Sequence, residues 1–157
     1  MSNYAIEIKN LVKKFDSFTL GPIDLSIPKG TIVGYIGQNG AGKSTTIKLL
    51  LGILKKDSGE IKILGYDNPN SIELKDKIGV VFDELLVPEE LTLVDLEKFC
   101  SRIYSKWDRE FFYQLKRKFN LSEKQAIKSY SRGMRMKLSM AVALSHNAEI
   151  LILDEAT

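Results

Sequence analysis

Histidine and cysteine are nearly missing from this chain of 157 residues, which has one of each, His146 and Cys100. A lone cysteine excludes an intramolecular disulfide, and with a single histidine beside it a Cys/His zinc cluster is excluded as well. Scarce cysteine fits a reducing compartment. Long apolar runs are also missing. The run Ile150-Leu151-Ile152-Leu153 is far short of the roughly 20 residues that cross a bilayer, so a membrane role has to come through a partner. The start, Met1-Ser2-Asn3-Tyr4, has no basic stretch followed by an apolar one and does not read as a signal peptide. There is no internal repeat and no low-complexity tract.

What is present is ordinary in bulk. Apolar residues make up 44% and charged residues 27%, enough for one domain, or a core with one small lobe, to bury its own interior. The net charge of +3 is unevenly spread: residues 101–137 hold eleven Lys/Arg against three Asp/Glu, and the remainder is acidic. The plain reading is a solvated helical surface; the sharper one is a lobe facing lipid headgroups or nucleic acid.

Along the chain, Tyr4 to Phe15 and Phe18 to Ile27 alternate as strands. Thr31-Ile32-Val33-Gly34-Tyr35-Ile36 is a continuous apolar run of the kind found in strands covered on both faces. A helix is expected from Lys43 to Gly52, a short strand from Gly59 to Gly65, and a buried strand from Ile78 to Phe82. After Pro88 the character turns helical, with helices over 92–105, 108–119, 122–127 and from Ser131 to about Ser145; Thr92 and Asp95 suit a helix start. The strand Glu149 to Leu153 closes the chain.

Gly37-Gln38-Asn39-Gly40-Ala41-Gly42-Lys43-Ser44 matches G-x-x-x-x-G-K-[ST] between an expected strand and an expected helix, the context the motif requires. Glycines let the backbone curl until several N–H groups point at phosphate oxygens, and the helix N-terminus adds partial positive charge. Lys43 reaches the β- and γ-phosphates, the Ser44 hydroxyl ligates Mg²⁺, and Thr45 is placed for the α-phosphate. The nucleotide is expected to be ATP. At the far end, Leu153-Asp154-Glu155 puts two carboxylates after a buried strand: Asp154 to hold Mg²⁺, and Glu155 to act as general base on the attacking water.

Between these motifs stands Tyr130-Ser131-Arg132-Gly133-Met134. Together the phosphate loop, this segment and the acidic strand resemble the ATPase subunit of an ABC transporter, whose signature usually reads Leu-Ser-Gly-Gly-Gln. The resemblance spans essentially the whole chain. It implies an α/β fold: a P-loop NTPase core with an N-terminal antiparallel β-subdomain (residues 1–83 and 136–157) and an inserted helical subdomain (84–135). It implies that Ser131 and Gly133 face the γ-phosphate of ATP held by a second ATPase subunit, in a homo- or heterodimer, and that an aromatic at Phe15 stacks on adenine. The implied partners are transmembrane permease subunits, with the chain cytoplasmic and peripheral on the inner face of the cell membrane; nucleic acid is not expected. Val80 to Glu84 and Tyr104 to Asp108 resemble bacterial exporters of antibiotics or peptides. Two alternatives stand beside this: a soluble ABC ATPase acting on ribosomes or DNA, and a nucleotide-binding regulatory module without turnover.

The sequence departs from the family in places. Where the family has a glutamine that touches Mg²⁺ and the attacking water, this chain has Asp83, an anionic oxygen able to ligate Mg²⁺ that adds negative charge near the γ-phosphate. Arg132 replaces the first signature glycine, and Ala156 the usual proline. The later core strands and the family's switch histidine do not follow Thr157, and His146 precedes the acidic strand. The expectation is therefore a fragment that binds ATP weakly and hydrolyses it poorly.

Overall fold

The first strand, β1, runs from Tyr4 to Lys14 and does not keep one alternation throughout. Ile6 and Ile8 are buried, then Leu11. The shift in period falls at Asn10, which has φ 46. Register with both neighbouring strands slips there, as an extra residue in one strand requires. Asp24 accepts from the displaced Asn10 N–H at 2.8 Å. The computed structural model describes residues 3–82 and 87–154. It divides into two units, Met1–Lys75 and Asp76–Thr157.

In the first unit β1 is central. It pairs antiparallel with β2 (Thr19–Pro28) and β3 (Ser58–Ile63), in the order β2-β1-β3. Ile6 lies opposite Ile63 and Ile8 opposite Ile61, so the apolar faces of β1 and β3 form one buried row. The prolines Pro22 and Pro28 lie on β2, an edge strand where a missing N–H costs no ladder bond. Helix α1 (Lys43–Leu50) follows the glycine-rich loop and stops before Gly52, which has φ 69. A four-residue helix, α2 (Ile72–Lys75), ends the unit.

One expectation fails here. Thr31–Ile36 forms no strand, and Ile32 and Ile36 are almost fully exposed. The apolar run signals burial, but a parallel strand takes its hydrogen bonds from neighbours. The strands of this unit pair with one another, and among the described residues none forms a ladder with Thr31–Ile36.

In the second unit β4 (Ile78–Val81) pairs parallel with β5 (Ile150–Leu153), Ile78 opposite Ile150 and Val81 opposite Leu153. Three helices follow β4: α3 (Leu93–Ile103), α4 (Arg109–Phe119) and α5 (Arg132–Ser145). Their apolar faces share a core built on Leu93, Leu96, Phe112, Leu115, Ile127, Tyr130 and Leu138. Helix α5 lies so close to β4 that a Cβ on Gly79 would stand 2.7 Å from the Ala143 carbonyl oxygen. Each helix is capped: Thr92 and Asp95 form a reciprocal capping box, Asp108 accepts from Phe111 N–H, and Ser131 from Met134 N–H.

The helix expected over 122–127 is reduced to a 3-10 turn at Ile127–Ser129. Its donors go elsewhere. Ile127 N–H bonds to Leu91 O at 2.8 Å, Lys128 N–H to Glu89 O at 2.9 Å, and Ala126 bridges Thr92. Pairing with the 89–92 segment takes the bonds that a six-residue helix would need, and isolated helices that short are marginal.

Candidate functional site

Two features shape the phosphate loop. Gly40 and Gly42 have φ 83 and φ 91, values that L side chains rarely adopt. A Cβ on Gly42 would also stand 2.4 Å from Leu20 Cδ1. Buried Leu20 on β2 thus forms the floor beneath the point where loop becomes helix. Gly42 is the N-cap of α1, with no side chain capping it and no acidic residue in the first turn. Helices α3, α4 and α5 each take a side-chain cap at this position. The macrodipole of α1 is positive at this end, and no acidic side chain stands in its first turn to offset it.

Lys43 folds back over the loop, donating from Nζ to Gly37 O at 2.8 Å and to Gln38 O at 2.9 Å. Ala41 N–H bonds to Gln38 O at 3.1 Å, closing the turn that contains Asn39. Thr46, buried, donates from Oγ1 to Gly42 O at 2.9 Å and lies 3.4 Å from the Tyr35 hydroxyl. Residues Gly37 to Thr45 are thus brought together with an ammonium at one side, the arrangement a polyphosphate needs.

Phe15 follows the end of β1. Its ring stacks on Phe18 with centroids 4.7 Å apart, and Lys13 Nζ lies 5.7 Å from its centroid.

The second unit holds the other groups. Ser131, Arg132 and Gly133 are all exposed at the start of α5. Ser131 Oγ accepts the capping bond from Met134 N–H at 3.2 Å, which uses a lone pair and leaves its hydroxyl proton for a second acceptor. Gly133 has no atom within 4 Å of where a Cβ would be, so its backbone is open to approach. The Asp154 N–H donates to Val81 O at 2.9 Å, which fixes the residue directly after β5. Asp83 and Glu155 lie outside the described residues.

Sequence reasoning missed three residues. Leu20 was invisible because its role is a contact with a distant glycine. Tyr130 stands where the family has leucine; its ring joins the core and its hydroxyl donates to the Ser122 carbonyl. Arg135 gave no signal beyond being one more cation on a basic stretch, yet it makes three hydrogen bonds around the signature turn.

A family model described as ABC transporter matches residues 20–157. The linearmycin resistance ATP-binding protein LnrL of Bacillus subtilis is 33% identical over 159 residues, covering 97% of this chain and 51% of that protein. The galactose/methyl galactoside import ATP-binding protein MglA of Treponema denticola is 32% identical over 170 residues, covering all of this chain and 34% of that protein. A solved ATP-binding subunit of an ABC transporter superposes with a TM-score of 0.83 at 26% identity, over 97% of this chain and 66% of its own. The chain thus spans about half the length of the first relative and about a third of the second. Its fold is that of the P-loop NTPases, and family membership implies ATP binding. By its motif-bearing loop, its capped signature helix and its match over residues 20–157, the chain belongs to the ABC transporter family as one of its ATP-binding domains.

Proposed function

We propose that the chain is the ATP-binding and ATP-hydrolysing part of an ABC transporter. It works as one half of a head-to-tail pair that drives transport by separate membrane subunits. The observation that carries this is a loop with two left-handed glycines that leads into the N-terminus of α1 with Lys43 folded over it. The amides of that loop hold phosphate oxygens, and Lys43 gives up its bonds to Gly37 O and Gln38 O for the β- and γ-phosphates. Phe15 stacks on adenine. Ser44, Asp154 and Asp83 offer hard oxygen donors of the kind that suit Mg²⁺; when bound, the ion neutralises charge developing on the phosphates. Glu155 accepts a proton from water as its oxygen attacks the γ-phosphorus and the bond to the β-phosphate oxygen breaks, giving ADP and phosphate.

Ser131 and Gly133 contribute to ATP held by the second subunit, homo- or heteromeric, through a hydroxyl, an open backbone N–H and the positive end of α5. In this reading residues 84–135 form the signature-bearing subdomain and 1–83 with 136–157 the nucleotide-binding core. The chain sits at the cytoplasmic face of a membrane through permease subunits; no helix among the described residues is long and apolar enough to cross a bilayer itself. Relatives named for resistance and for import leave the direction of transport open.

Titration with a fluorescent ATP analogue tests the reading. Lys43→Ala is expected to weaken binding at least about tenfold, the effect of losing one charge-assisted contact, and chelating Mg²⁺ to weaken it further. Equal affinity in wild type and Lys43→Ala overturns it. In a complete subunit, Glu155→Gln is expected to abolish turnover and prolong the ATP-bound pair.

A further inference from the structure

The approach to Ser131 is not held by regular secondary structure. Residues 120–131 contain only the short turn at Ile127–Ser129, yet this segment must present a hydroxyl and a backbone N–H to a phosphate on another molecule. Beside backbone bonds to the 89–92 segment, one side chain holds the residues directly before Ser131. Arg135, in the first turn of α5, donates from Nη2 to Lys128 O at 3.1 Å and from Nε to Tyr130 O at 3.3 Å; from Nη1 it donates to Glu89 Oε1 at 2.8 Å. The two carbonyls lie on either side of Ser129, just before the signature serine. Glu89 lies on the segment that pairs with 126–128 through the Ile127 and Lys128 amides. A planar guanidinium reaches three acceptors in fixed directions, and a lysine ammonium does not reproduce that fork.

We propose that Arg135 is a positioning residue for the signature turn. It fixes the backbone before Ser131 so that the Ser131 hydroxyl and the Gly133 N–H meet a partner's phosphate in one geometry, and it ties that turn to the 89–92 segment. The proposal rests on the reading of Ser131 and Gly133 given above. The Glu89 contact is exposed and contributes little by itself; the two carbonyl bonds hold the turn.

The test compares wild type with Arg135→Ala, Arg135→Lys and Glu89→Gln. Asp108→Ala serves as a control that weakens the same lobe by removing the cap of α4. Amide hydrogen exchange at 128–134 is expected to rise about tenfold in both Arg135 variants, as losing one charge-assisted hydrogen bond implies, and little in Glu89→Gln. ATP affinity of the phosphate loop is expected to stay at wild type. ATP-promoted pairing, read by sedimentation in Mg²⁺-ATP against ADP, is expected to weaken about tenfold in both Arg135 variants but not in Asp108→Ala. Wild-type exchange in the Arg135 variants overturns the proposal. So does equal loss of pairing in Asp108→Ala, which reduces Arg135 to general stability. Should Arg135→Ala not fold, Arg135→Lys decides. Ser131→Arg separates the two readings. If it abolishes pairing while the Arg135 variants pair normally, positioning fails and the shared site stands. If wild type and Ser131→Arg behave alike in ATP, the shared site fails, and exchange alone decides whether Arg135 holds the turn.

Discussion

Individual residues set sharp limits on this site. Gly42→Ala combines φ 91 with a 2.4 Å contact to Leu20 Cδ1 and is expected to cost about 1–3 kcal/mol in urea denaturation. Leu20→Ala in the same chain should return part of it. Gly40→Ala, at φ 83 with open space around the added atom, should cost only the backbone term of about 1–2 kcal/mol. Burial, reinforced by the nearby Glu97 carboxylate, pushes the Cys100 thiol up to about 12. The native chain should therefore resist iodoacetamide at pH 8 and label only in denaturant. His146 is buried against Tyr104, ring centroids 4.1 Å apart, with neither ring nitrogen bonded. Burial holds its pKa below the ordinary histidine value, against an opposing pull from Asp76. The unfolded chain then binds the proton more readily, so stability is full above about pH 6.5 and falls as pH drops below it. His146→Phe should flatten that decline. Asp76 accepts from the Ser105 hydroxyl and N–H, which lower its pKa, so its contribution fades only in the lower window beneath the usual carboxylate range. The sequence made the loop glycines legible through their spacing. It placed His146 at a helix end but could not show that both nitrogens would be buried, since that depends on Tyr104 folding over the ring.

At the level of elements, caps were the readable part. Thr92 with Asp95 and Ser131 with Met134 start α3 and α5 where the sequence signals them. Thr92→Ala should cost about 1 kcal/mol in thermal or urea unfolding. Ser131→Asp separates the two tasks of that residue: aspartate caps as well as serine, so stability should hold, while its charge repels a phosphate and should abolish ATP-promoted pairing. The run Thr31–Ile36 and the 122–127 segment were misread for one physical reason. Apolar content and local propensity say that a segment wants burial or a helix, but ladder partners decide whether it becomes a strand. Pairing between 89–92 and 126–128 is non-local and leaves no periodic trace.

For the whole molecule, ligand binding and exposed surface oppose each other. A nucleotide that binds only the folded state stabilises it by about 2.7 kcal/mol at a hundredfold excess over Kd. Mg²⁺-ATP should therefore raise the melting temperature of wild type by several degrees and that of Lys43→Ala by half as much or less. The exposed apolar run at 31–36 offers an uncharged template for strand pairing between molecules. Light scattering should show self-association rising with concentration, and Ile32→Lys with Ile36→Lys should raise its onset several-fold.

Helix α5 is 14 residues long, about 20 Å at 1.5 Å per residue. Ser131 caps one end; at the other, His146 leads within a few residues into β5 and Asp154. The Gly79–Ala143 contact seats the helix on β4 near that second end. If, as proposed, Asp154 holds Mg²⁺ and Ser131 meets the ATP of a second subunit, this one helix stands between the two sites. Two reaction centres on different chains would then share one mechanical part.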